Sequence, residues 1–131
     1  MRTIKENLEQ AVIVAGNAYA PYSNFRVGCL IETLQGNKYT ACNVENISYG
    51  LASCAERNAI FKAISEEGPQ MRLKAVYVAM EDGKEGAPCG ACRQVIAEFS
   101  DPEKTQVHFF HQKKLMSGSV AQLLPFCFRD L

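Results

Sequence analysis

Leu73-Lys74-Ala75-Val76-Tyr77-Val78-Ala79-Met80 is apolar at every position but Lys74. A strand with one wet face alternates in polarity, so a nearly unbroken apolar run is the pattern of a central strand covered on both faces. The flanking segments arrange themselves around it. Upstream, Cys54 to Glu66 carries helical spacing through Ala55, Ala59, Ile60 and Ala63, and Gly68-Pro69 ends that helix. Before it, Phe25 to Leu34 is rich in β-formers and Gln35-Gly36-Asn37 signals a turn. Lys38 to Val44 then reads as a returning strand, which makes a hairpin. The chain opens with Ile4, Leu8, Ala11, Val12, Ala15 and Tyr19 at helical spacing, and Thr3-Ile4-Lys5-Glu6 fits a capping box. That helix is predicted over Ile4 to Ala18, stopping before Pro21. Downstream, Glu81 to Ala87 is a polar loop, Pro88 starts a helix over Cys89 to Phe99, and Thr105 to His111 is another strand. The short hairpin after His111 predicts a truncated edge strand over Lys113 to Ser117, and Ser119 to Leu124 a short last helix. The order α-β-β-α-β-α-β, with a final β-α, implies an α/β domain: a single mixed sheet of about five strands layered with helices.

A chain of 131 residues is expected to form one domain, residues 1–131, since two cores at this length would each be marginal. Hydrophobic residues at 47% and charged residues at 21% give the balance of a globular protein and not of a disordered chain. Fourteen basic residues cancel fourteen acidic ones, which disfavours nucleic acid as a main partner. No apolar run approaches the roughly 18 residues of a membrane span. The opening MRTIKENLEQ is charged and amphipathic, with no signal-peptide core. The expectation is a soluble, cytoplasmic domain with no membrane partner.

Six cysteines stand at positions 29, 42, 54, 89, 92 and 127. Without a secretion signal, clustered cysteines point to metal or chemistry, and isolated ones to small buried hydrophobes. Cys29, Cys42 and Cys127 fall in the second group. Cys54-Ala55-Glu56 and Pro88-Cys89-Gly90-Ala91-Cys92 fall in the first, each opening a predicted helix. Cys89 and Cys92 share one helix face, and a helix N-terminus favours the thiolate that zinc requires. Three protein ligands leave a fourth tetrahedral position for water, the arrangement of a catalytic zinc. Glu56, two residues after Cys54, is placed to handle a proton there. Alone, the Cys-x-x-Cys is also compatible with a redox pair or with half of a structural zinc site, to which Cys42, His108 or His111 would add a ligand.

Taken together, the motifs resemble the small, homotetrameric form of the cytidine deaminases, within the cytidine and deoxycytidylate deaminase family. The likeness runs through Tyr19-Ala20-Pro21-Tyr22-Ser23, Phe25-Arg26-Val27-Gly28, Asn43-Val44-Glu45-Asn46, Cys54-Ala55-Glu56-Arg57, Pro88 to Gln94, and Leu123-Leu124-Pro125. It includes the three-cysteine variant of the zinc-deaminase signature. The resemblance implies one zinc per subunit, Glu56 as the catalytic proton carrier, and deamination of cytidine and deoxycytidine in pyrimidine salvage. It implies that Phe25 packs on the pyrimidine and that Asn43 and Glu45 bind the ribose hydroxyls. Ala55 joins the substrate-binding residues, while Tyr49 and Phe128 reach the site from neighbouring subunits. Zinc with three thiolates is formally −1, and Arg57 is placed to donate to the sulfurs and offset that charge. Ile47 and Ala87 depart from the pattern, standing where many relatives carry a small residue and some a hydroxyl. A relative acting on another cytosine compound, such as a nucleoside antibiotic, and a non-catalytic zinc module are the alternatives. Deamination within tRNA is disfavoured by the absence of a basic tract.

Overall fold

The computed structural model describes residues 2–129. Leu73–Met80 forms β3 and lies at the centre of a sheet ordered β2-β1-β3-β4-β5. Its neighbours are β1 (Val27–Thr33), β2 (Lys38–Cys42), β4 (Gln106–His111) and β5 (Lys114–Ser119). β3 pairs antiparallel with β1 and parallel with β4, so the sheet is mixed. Both outer pairs are antiparallel hairpins. Val76 and Val78 pack with Cys29, Ile31 and Val107 into one core, under α2 (Ala55–Glu67), α3 (Gly90–Glu98) and α4 (Val120–Leu123). Ala75, Tyr77 and Ala79 point the other way, onto Leu8 and Ala11 of α1 (Ile4–Ala15). Successive residues of β3 therefore enter different cores, which is why the run is continuous. A Cβ on Gly28 would sit 1.8 Å from the Ala11 carbonyl oxygen, so glycine is what lets α1 lie this close to β1.

Several boundaries differ from expectation for identifiable reasons. The first helix ends at Ala15, not Ala18; Gly16, Asn17 and Ala18 tighten into i→i−3 bonds, and the Tyr19 N–H leaves for the Asn43 carbonyl. Strand β1 starts at Val27 and not Phe25, because the Asn43 side chain takes the Phe25 carbonyl and the Val27 N–H. Strand β2 stops at Cys42; Val44 instead bridges Tyr19 and Ser53. Cys54 and Cys89 are N-caps of α2 and α3, one residue before each helix. The last strand is not truncated. It runs Lys114–Ser119 and pairs with β4 over six residues, because Gln112 and Lys113 alone make the turn. The final helix is one turn, Val120–Leu123, closed by a capping box between Ser119 and Gln122.

Candidate active site

α2 and α3 begin at the end of the sheet where β3 finishes, and their first residues converge. Cys54 caps α2, Cys89 caps α3, and Cys92 lies in the first turn of α3. The three sulfurs lie within 4.8 Å of one another. Zn–S bonds of about 2.3 Å in a tetrahedron put sulfurs roughly 3.8 Å apart. The trio therefore closes on a zinc ion by small side-chain adjustments, and its soft donor set suits that metal. No disulfide competes, since all six cysteines are free thiols. Cys29 is fully buried, and Cys127 packs against the same core.

The electrostatics divide the labour among these groups. Hydrogen bonding from Cys92, reinforced by Arg57, holds the Cys54 thiol down to about 5. Arg57 Nη2 donates to Cys54 Sγ at 3.2 Å, and Arg57 Nε is buried without a protein acceptor. Cys92 is pushed up, because its proton serves Cys54 and a second negative charge there is unfavourable. Glu56 is only 4% exposed. Desolvation by burial, with the Cys54 charge adding to it, pushes its carboxyl up to about 7, suited to taking and returning a proton near neutrality.

Cys54, Glu56 and Cys89 line a cleft of about 290 Å³, together with Val27, Asn43, Ala55, Val78, Met80, Glu85, Gly86 and Ala87. The expected substrate residues are distributed unevenly around it. Asn43 lies in the wall, with its amide already engaged: Oδ1 accepts from Val27 N–H and Nδ2 donates to the Phe25 carbonyl, both at 2.8 Å. Glu45 lines another cleft of about 340 Å³ with Tyr22, Ser23, Asn46, Tyr49 and Ala52. Its carboxylate accepts from the N–H groups of Tyr22 (2.9 Å) and Ser23 (3.2 Å) and from the Ser23 hydroxyl. The Ser23 hydroxyl is the main reason its carboxyl lies below the usual range. Tyr49 stands exposed, edge-on to Tyr22 at 5.9 Å between ring centroids. Phe25 and Phe128 are 63% and 69% exposed. Phe25, Tyr49 and Phe128 do not line the cleft of their own chain.

Comparison with known proteins matches this arrangement. The family described as cytidine and deoxycytidylate deaminase zinc-binding region matches residues 1–108. The chain belongs to this family. A cytidine deaminase of Halalkalibacterium halodurans is 39% identical over 122 residues, covering 92% of this chain and 90% of its own. One from Sporosarcina psychrophila is 42% identical over 111 residues, covering 85% and 80%. The crystal structure of cytidine deaminase from Burkholderia pseudomallei superposes with a TM-score of 0.86 at 40% identity, covering 97% of this chain and all of that one. The deaminase fold is thus shared, the family is a zinc-binding one, and Cys54, Cys89 and Cys92 are the group in this chain that could hold the ion.

Motif spacing does not mark every residue that shapes this deaminase cleft. Val78 and Met80 read as strand core, and Glu85 and Gly86 as polar loop, yet all four wall the cleft. Their position just before Pro88-Cys89 was the available signal. Two residues after the cysteine pair hold the site by its backbone. Arg93 Nε donates to the Pro88 carbonyl and Nη1 to the Leu123 carbonyl, both at 2.8 Å, and Gln94 Nε2 donates to the Phe128 carbonyl at 2.6 Å. The mouth of α3 is thereby tied to the C-terminal segment. Among the described residues, no helix is long and apolar enough to cross a membrane.

Proposed function

We propose that this chain catalyses hydrolytic deamination of cytidine and deoxycytidine to uridine and deoxyuridine plus ammonia, acting over residues 1–131 as one domain. The observation that carries this reading is the buried Glu56 carboxylate, two residues after one of three convergent thiols and lining the same cleft as Cys54 and Cys89. Cys54, Cys89 and Cys92 hold one zinc ion, which when bound supplies a water acidified toward neutrality for attack on an amidine carbon. Glu56 takes the proton of the attacking water and delivers it to ring N3. It then carries the hydroxyl proton of the tetrahedral adduct to the amine at C4, which leaves as ammonia. Arg57, donating to Cys54 Sγ, offsets the excess negative charge of three thiolates. Asn43 and Glu45 use their remaining lone pairs and N–H on the ribose hydroxyls, in orientations that Val27, Phe25, Tyr22 and Ser23 already fix. Phe25 packs on the base, and Ala55 lies in the floor beneath it.

The active form in this reading is a homotetramer, with Tyr49 and Phe128 supplied across subunit boundaries. Exposed apolar side chains support it: Tyr19, Val44, Ile47 and Leu51 stand exposed in the same two chain segments as the Tyr22–Tyr49 pair, and Ile47 is 81% exposed. A patch of this kind marks an interaction surface. A reducing cytoplasm, where thiols persist, suits the three-thiol site, and pyrimidine salvage suits the product. Parallel ultraviolet assays of cytidine, deoxycytidine and cytosine test the reading. Rapid turnover of the two nucleosides with slow turnover of the free base is expected. Zinc-loaded protein inert toward all three would overturn it.

A further inference from the structure

The cleft wall is fastened to a distant hairpin by one carboxylate. Glu85 stands in that wall, four residues before Cys89. Its Oε1 accepts from the Gln112 N–H at 2.9 Å, and its Oε2 accepts from His111 Nδ1 at 3.2 Å. Beside them, the Lys113 N–H donates to the Lys84 carbonyl at 2.9 Å. The Glu85 carbonyl accepts from the Met80 N–H at 3.0 Å, which returns the loop to the end of β3. The turn so gripped is unusual. Gln112 and Lys113 both have positive φ, 51° and 68°, in a two-residue hairpin that favours Asn-Gly. Such a turn needs contacts from outside to hold its shape, and the 84–85 segment provides three.

The wall in turn needs the turn. Gly86 has no side chain with which to anchor itself, and a Cβ there would meet the Val78 carbonyl oxygen at 2.7 Å. Gly83, with φ of 71°, leaves the other side of the segment permissive. Of residues 84–87, Glu85 alone has a side chain bonded to another element. We infer that Glu85 is a positioning residue: its carboxylate docks the β4–β5 turn onto the 81–87 loop and so sets the width of the cleft wall formed by Gly86 and Ala87. It touches no reacting atom and acts through the backbone it holds. The inference rests on the deaminase reading for its kinetic consequence, while the clasp itself is independent of it.

Glu85→Ala and Glu85→Gln in zinc-loaded protein test it, with cytidine kinetics and amide hydrogen exchange as readouts. Glu85→Ala is expected to keep one zinc per chain and to speed exchange at the Met80 and Lys113 amides. It should lower kcat/KM by about 10- to 100-fold, with KM rising more than kcat falls, since small misplacements of a substrate wall act on this scale. Glu85→Gln keeps an oxygen for the Gln112 N–H and should recover kcat/KM to within about threefold. Adding Gln112→Asn with Lys113→Gly to Glu85→Ala relaxes the turn and should restore thermal stability without restoring KM. The proposal is overturned if Glu85→Ala leaves exchange and KM unchanged. It is also overturned if Glu85→Gln is as impaired as Glu85→Ala, or if the relaxed turn restores KM. Wild-type protein inert on cytidine would sink the deaminase reading, and the exchange data would still decide the clasp.

Discussion

The metal corner and the mouth of the cleft are built on opposite principles. At the corner, the groups proposed for proton and metal chemistry all come from one chain. Cys54, Cys89 and Cys92 converge at two helix starts, Arg57 donates to a ligand sulfur, and Glu56 is buried among them. At the mouth, the side chains expected to enclose a nucleoside are either partly engaged within the chain or away from the cleft. Asn43 bonds the backbone of Phe25 and Val27, Glu45 that of Tyr22 and Ser23, and Phe25, Tyr49 and Phe128 are exposed. A preorganised reaction centre needs rigid donors at fixed distances, which short helical spacings supply. Enclosure needs apolar area, which a neighbouring subunit can supply at little cost to its own core. In the proposed function, chemistry is local to the chain and substrate retention belongs to the assembly.

That contrast can be broken most severely at the corner. Cys89→Ala should lose both bound zinc and deamination, the largest effect of all. Metal analysis alongside the ultraviolet assay checks it, and full zinc with full activity would show that the ligand set is misassigned. At the mouth the effects should be smaller and should spare the metal. Phe128→Ala should lower kcat/KM by about 10- to 100-fold, the worth of covering one aromatic side chain at about 1.5–3 kcal/mol. Zinc should stay at one per chain, and light scattering at assay concentration should show a tetramer. A fully active monomer would place the enclosure within one chain and erase the contrast. Smaller still is the expected effect of Glu45→Ala. A site built for hydroxyls rejects an analogue lacking them by up to about 10⁴-fold. Removing one of two ribose partners should narrow the preference for cytidine over cytosine by about 10-fold, with zinc unchanged. Equal slowing of both substrates would make Glu45 a clamp for the Tyr22-Ser23 turn and nothing more.

The same division governs what the amino-acid sequence discloses. Leu73–Met80 is legible to the residue, because a strand buried on both faces leaves no doubt about where polarity resumes. The corner is legible because its residues are close in sequence: Cys54 with Glu56 and Arg57, and Cys89 with Cys92 and Arg93. A spacing of three puts Cys54 beside Arg57 and Cys89 beside Cys92 at the two helix starts. The mouth is not, because its bonds join residues far apart. Glu45 finds Ser23 across 22 positions, and Glu85 finds Gln112 across 27, through a backbone N–H that carries no side-chain signature. The full length of the last strand is hidden for a related reason. Gln112-Lys113 contains neither Asn nor Gly, so nothing local announces a two-residue turn.

Turnover of cytidine by zinc-replete Glu56→Gln protein tests the central claim most directly, because it removes the proton carrier and leaves the ligands and the mouth in place. With one zinc per chain and an unchanged fold, turnover should fall by at least about 10² to 10⁴, since an amide cannot shuttle the proton. Turnover near that of the wild type in the zinc-replete variant would contradict the account.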